Sequence, residues 1–214
     1  MPQPFVIGVV TGVTTDRWVR VWHERLPDVP LRIVPVEDVR DALRAGVVMV
    51  FARLPLGGGA DQDVHAIPLW DETAVVVAAK SHPVKLFDAV TEADIADEEL
   101  YPGWDEGVID IVAAGHGIAR MPQSVFRATG RRDVVARPIS DAEPTRVGLV
   151  WLRATTGELV DEFIGIVRGR TANSSRGVAT PPEPAAKRPA PKAEPKRPTH
   201  RTTKPKPKGG RRHH

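Results

Sequence analysis

The chain has 214 residues, 41 % of them hydrophobic, with 30 Lys+Arg, 27 Asp+Glu and no cysteine. Without cysteine, disulfides, thiolate metal sites and a cysteine nucleophile are excluded. No apolar run approaches the ~20 residues of a membrane span, and the first apolar stretch, Phe5 to Val10, falls short of the ~7–15 residues of a signal-peptide core, so a cytoplasmic protein is expected.

Residues 5–10 form a continuous apolar run bounded by turn residues, the pattern of a buried parallel strand. Thr15 or Asp16 is placed to cap the helix that follows, and Trp18, Trp22 and Leu26 recur at helical spacing before Pro27 ends it. Leu31 to Val36 reads as a second strand. Asp38 caps a short helix through Leu43, with Gly46 as its left-handed terminator, and Val47 to Ala52 is a third buried strand. Strand and helix alternating through short connections imply parallel strands and right-handed crossovers. A glycine-rich loop then leads to strands at Ala66–Leu69 and Ala74–Ala79, a capped helix at Thr91–Ala96, and a helix–glycine–strand passage over 112–122. Val134–Ile139 and Arg146–Trp151 are further strands, and Leu159, Val160, Phe163, Ile164 and Val167 line one face of a last helix.

The net charge of +3 hides a division. Residues 1–175 carry 18 Lys+Arg against 25 Asp+Glu, whereas residues 176–214 carry 12 against 2, so a net of −7 is followed by one of +10. From Thr180 onward there is no Ile, Leu, Phe, Trp, Tyr or Met. Such a segment buries too little apolar surface to offset chain entropy, and its regular prolines favour extended, solvated conformations. A disordered Lys/Pro/Arg-rich tail over 173–214 is expected.

Several pieces of the body resemble the effector-binding (substrate-binding) domain of LysR-type transcriptional regulators. They are the FVIGVVTGV strand and turn, the DALRAG helix end before VVMVF, ETAVVVAAKSHPV, VTEADIADEEL, the IVAAGHGIARMP passage, and VGLVWL with DEFIGIVR. The resemblance runs from about Phe5 to Arg168. It implies an α/β, two-lobed periplasmic-binding-protein-like (type 2) fold that closes on a small effector at a hinge. The effector-binding domain is then 1–172, with lobe I over 5–70 and 141–170 and lobe II over 71–140. The sequence departs from the family in two places. Between Leu100 and Ile109 only YPGWDEGV stands where the family carries a further strand and helix, so a trimmed second lobe is expected. Arg120 occupies a position that is usually apolar. Only four residues precede the first strand, and the expectation is a sensor without the family's N-terminal helix-turn-helix domain.

Candidate ligand contacts follow from strand ends, where open α/β sheets bind ligands. Thr11, Gly12 and Thr14 lie after the first strand at a helix N-terminus, which favours an anion, although the threonines could equally serve only as caps. Arg53 follows the third strand and could pair bidentately with a carboxylate, or form a structural salt bridge. Glu37 follows the second strand, at a position where the resemblance implies a polar effector contact; being acidic, it would select a cationic or hydroxyl-bearing group, or else it is simply exposed. Trp104, in the shortened segment, and His116, between two glycines, complete the set. Gly57-Gly58-Gly59 lacks the Gly-Lys-Ser/Thr of a phosphate loop, and Gly8 and Gly12 do not fit G-x-G-x-x-G. No nucleophile elbow, H-E-x-x-H or paired carboxylate argues for catalysis, and no metal or cofactor is expected.

The sequence is therefore read as an effector-binding regulatory protein with a role in transcription. Its expected partners are a small, anionic effector and, through the tail, nucleic acid without sequence preference. The tail cations are Lys187, Arg188, Lys192, Lys196, Arg197, Arg201, Lys204, Lys206, Lys208, Arg211 and Arg212. A homodimer is left open. The alternatives are a stand-alone ligand-binding protein with a solubilising or partner-binding tail, and an enzyme on the same fold.

Overall fold

The computed structural model describes residues 3–57 and 63–170. Gly58, Gly59 and the whole basic tail, with its eleven candidate nucleic-acid residues, lie outside the described residues. The elements run β1 (Phe5–Val9), α1 (Asp16–Arg25), β2 (Leu31–Pro35), α2 (Val39–Arg44), β3 (Met49–Leu54), β4 (Val64–Glu72), β5 (Ala74–Ala79), β6 (Leu100–Tyr101), α3 (Glu106–Ala113), β7 (Ile118–Pro122), α4 (Gln123–Thr129), β8 (Val134–Pro138), β9 (Thr145–Leu152) and α5 (Glu158–Val167). Two short 3-10 helices, Pro83–Leu86 and Ala93–Ile95, lie between β5 and β6.

The strands form two sheets, ordered β2-β1-β3-β9-β4 and β6-β7-β5-β8. In the first, β1 is parallel to β2 and β3, as the alternation of strands and helices predicts, while β9 returns antiparallel between β3 and β4. In the second, β5 is antiparallel to both β7 and β8. The lobes join where β4 leads into β5 and β8 into β9. There Arg146 donates to both carboxylate oxygens of Asp71, at 2.7 and 3.0 Å, tying β9 to β4. That hydrogen bond holds the Asp71 carboxyl below its ordinary range.

Packing follows from side-chain alternation. In β3, Met49 and Phe51 face α1 and α5 in an aromatic cluster with Phe5, Trp18, Trp22 and Phe163, whereas Val50 and Ala52 face α2. Rings stack at 4.8 Å between Phe5 and Trp22 and at 4.7 Å between Trp18 and Phe51. The run AVVVAA of β5 shows no alternation and is buried along its whole length, because helices α3 and α4 cover one face and the 3-10 turns the other.

Local expectations meet mixed outcomes. Asp38 does cap α2, accepting from the Asp41 N–H at 2.8 Å, and Gly46 sits at φ +98° after its end. Thr15 stands at the N-cap of α1 but its side chain makes no capping bond; it is buried instead. The expected helix over Thr91–Ala96 is only the 3-10 turn Ala93–Ile95. The Asp94 carboxylate accepts from the Thr91 N–H and hydroxyl, both at 2.7 Å, closing a local turn that competes with a helix. The third strand begins at Met49, not Val47, since the Val47 N–H is spent on the carbonyl of Ala42, within α2. The shortened segment holds the two-residue strand β6 and leads directly into α3, so the second sheet has four strands against five in the first.

Candidate functional site

The lobes meet at the C-terminal ends of β1, β3 and β4. Gly12, at φ +85°, allows the closest approach: a Cβ there would lie 2.7 Å from the carbonyl carbon of Ser124 and 2.8 Å from the Val125 nitrogen. Glycine is demanded twice, by the backbone angle and by the space.

A polar cluster adjoins this contact. Arg53, at the end of β3, donates from Nε to Glu72 Oε2 at 2.8 Å. Its Nη2 donates to the Thr11 carbonyl and to Ser124 Oγ, both at 3.0 Å. The Ser124 hydroxyl in turn donates to Glu72 Oε1. The Arg53 and Glu72 side chains retain only 13 % and 5 % of their exposure. Three strand ends of the first sheet are thus fastened to the first turn of α4, which belongs to the second. Arg53 is engaged by the protein's own carboxylate, the salt-bridge alternative of the two read from the sequence.

Beside the cluster opens a cavity of about 920 Å³. The first sheet's elements contribute Gly12, Val13, Thr14, Asp16, Arg17, Trp18, Leu69, Trp70 and Glu72, and α4 contributes Ser124, Arg127 and Ala128. In its wall Trp18 and Trp70 stack, with ring centroids 5.8 Å apart. At the head of α1, the N–H groups of Trp18 and Val19 both return to the Thr15 carbonyl.

Of the residues singled out in the sequence, Gly12 and Thr14 line this cavity, and Thr11 and Arg53 belong to the adjoining cluster. Trp104 is 42 % exposed, its ring 6.0 Å from the Arg53 guanidinium carbon, and is not part of the cavity wall. Glu37 is exposed after β2, the edge strand of the first sheet. His116 is exposed before β7, at the end of that strand opposite to Ser124. The structure does not bring these last two together with the others. Five residues of the hinge region escaped sequence reasoning: Arg17, Trp70, Glu72, Ser124 and Arg127. One signal was present for Glu72, an acid two residues before the wholly apolar AVVVAA, where a carboxylate needs a partner as the chain enters the core.

Comparison with known proteins agrees with this architecture. The family model of the LysR substrate binding domain matches residues 4–101. No curated protein matches the chain. Among solved structures, a cysteine-to-serine mutant of Corynebacterium glutamicum OxyR in its H2O2-bound form superposes with a TM-score of 0.60 at 20 % identity, covering 78 % of this chain and 64 % of that one. The chain therefore spans less than two thirds of that protein. The regulatory domain of Pseudomonas aeruginosa OxyR, in a cysteine-to-aspartate mutant, gives a TM-score of 0.58 at 22 % identity, covering 78 % of this chain and 97 % of that one. The BenM effector-binding domain with its effector benzoate gives 0.59 at 18 % identity, covering 77 % and 90 %. At these identities the likeness is one of fold: two α/β lobes about a hinge.

Proposed function

We propose that this chain, whose residues 4–101 match the LysR substrate binding domain, is an effector-binding regulatory protein that closes its two lobes on a small anion. The observation that carries the reading is the cavity of about 920 Å³ walled by both lobes at strand ends. A ligand there touches both bodies at once and shifts the equilibrium between open and closed forms by its differential affinity. Gly12 and Thr14 then serve as contacts from the first lobe and Ser124 from the second. Thr11 and Arg53 act behind them by holding the strand ends in register. The benzoate bound by BenM suggests carboxylates as the first compounds to screen.

The basic tail supports a second element of the proposal, nucleic-acid affinity without sequence selectivity. Its 12 Lys+Arg against 2 Asp+Glu gain affinity by releasing counterions from phosphates, and need no folded reader. They carry little sequence information, since base edges and DNA shape specify.

A thermal-shift screen of small carboxylates tests the cleft. A ligand at one hundred times its dissociation constant stabilises the folded state by about 2.7 kcal/mol. Ala128 is exposed on α4 and lines the cavity, so Ala128→Trp places an indole between the lobes and obstructs the cleft without disturbing the core. It should abolish the shift of every compound that stabilises the unaltered protein; shifts that persist would place the ligand elsewhere.

A further inference from the structure

We infer that the hinge cavity selects a doubly negative ligand, gripped by Arg17 from one lobe and Arg127 from the other. The inference rests on the reading of the cleft as the effector site and specifies the chemistry of its occupant. Both arginines line the same cavity, Arg17 from the first turn of α1 and Arg127 from the last turn of α4. Neither has a carboxylate partner among the described residues, although residues 1–175 hold 25 Asp+Glu against 18 Lys+Arg. Glu72, the buried carboxylate of the cavity wall, is committed to Arg53. The guanidinium of Arg17 lies 4.0 Å above the Trp18 ring, a cation–π contact that restrains it at the cavity wall.

Two cations without carboxylate partners, carried on separate bodies, repel as the lobes close. A monoanion satisfies one of them, whereas a ligand with two carboxylates, or a phosphate monoester, neutralises both and turns the repulsion into a bridge. The guanidinium fork suits either group, bidentately. The stacked Trp18 and Trp70 offer a flat apolar wall to the ligand's body. Asp16 also lines the cavity and has no ion pair among the described residues. It subtracts one charge from the field, so the expected discrimination is modest.

The experiment is calorimetric titration of the full chain with matched probes: phthalate against benzoate, and succinate against butyrate. The dicarboxylate should bind about tenfold tighter in at least one pair, the scale of one added charge-assisted contact. Arg17→Gln and Arg127→Gln should each remove most of that preference while changing the affinity for the monocarboxylate less. Both side chains are exposed, so neither variant threatens the fold, and unchanged melting temperatures without ligand verify this. Equal affinity within both pairs, or a preference that survives both glutamine variants, overturns the inference. If binding of that kind is still lost in Ala128→Trp, the cleft reading stands without it. Failure of all four probes to bind at millimolar concentration overturns the inference too.

Discussion

Glu72 shows how a single buried charge organises the hinge. With 5 % of its side chain exposed, the carboxylate is bonded by Arg53 and Ser124, residues 19 and 52 positions away in sequence. Removing one partner of such a pair strands the other in low dielectric, whereas removing both can be almost neutral. Glu72→Ala should therefore destabilise the protein by about 3 kcal/mol in urea unfolding. Arg53→Leu with Glu72→Leu should lose only about 1 kcal/mol. If the double variant loses as much as the single one, the pair is not coupled in the way described. Ser124 makes the cluster a joint between lobes, since it is the second-lobe member of a set otherwise drawn from the first.

At the scale of elements, legibility followed the range of the determining contacts. The start of α2 was readable because its cap is local: Asp38 accepts from an N–H three residues on. The same logic applied to Thr15 failed, because tertiary burial claims that side chain. Asp38→Ala should accordingly cost about 1 kcal/mol of stability, as lost caps do. Thr15→Val, similar in shape and deprived only of a hydroxyl without a capping bond, should cost clearly less. Equal losses in thermal unfolding would show that Thr15 caps after all. The Thr91–Ala96 helix failed for a related reason: Asp94 bonds backward to Thr91 and closes a turn, a competition that periodicity does not register. The site divides in the same manner. Gly12 and Thr14 were legible from a strand end before a helix, whereas Arg127 reaches the cavity only through the folding of the second lobe.

For the whole molecule, the nucleic-acid affinity proposed for the basic tail carries a definite salt dependence. If about six of the tail's 12 cations reach phosphate, log K for duplex DNA should fall against log salt with a slope of roughly −5. Full-length protein should bind DNA of any sequence at low salt, and a chain truncated after Ser175 should not. Binding retained by the truncated chain in an electrophoretic assay would move the contact to the body, and salt-insensitive, sequence-selective binding would refute the polycation mechanism. Cleft variants such as Ala128→Trp should leave this slope unchanged.

The course of β9 has a consequence for the order in which the protein can be completed. Every strand of the second sheet lies within residues 74–138. The first sheet opens with Phe5 but lacks the strand between β3 and β4 until Leu152 exists. On the ribosome, the later-encoded lobe therefore has all its strands before the earlier-encoded one does. Until then β3, with Met49, Val50, Phe51 and Ala52 fully buried in the finished fold, presents an unpaired edge. A nascent chain halted between Pro138 and Thr145 would carry that edge indefinitely.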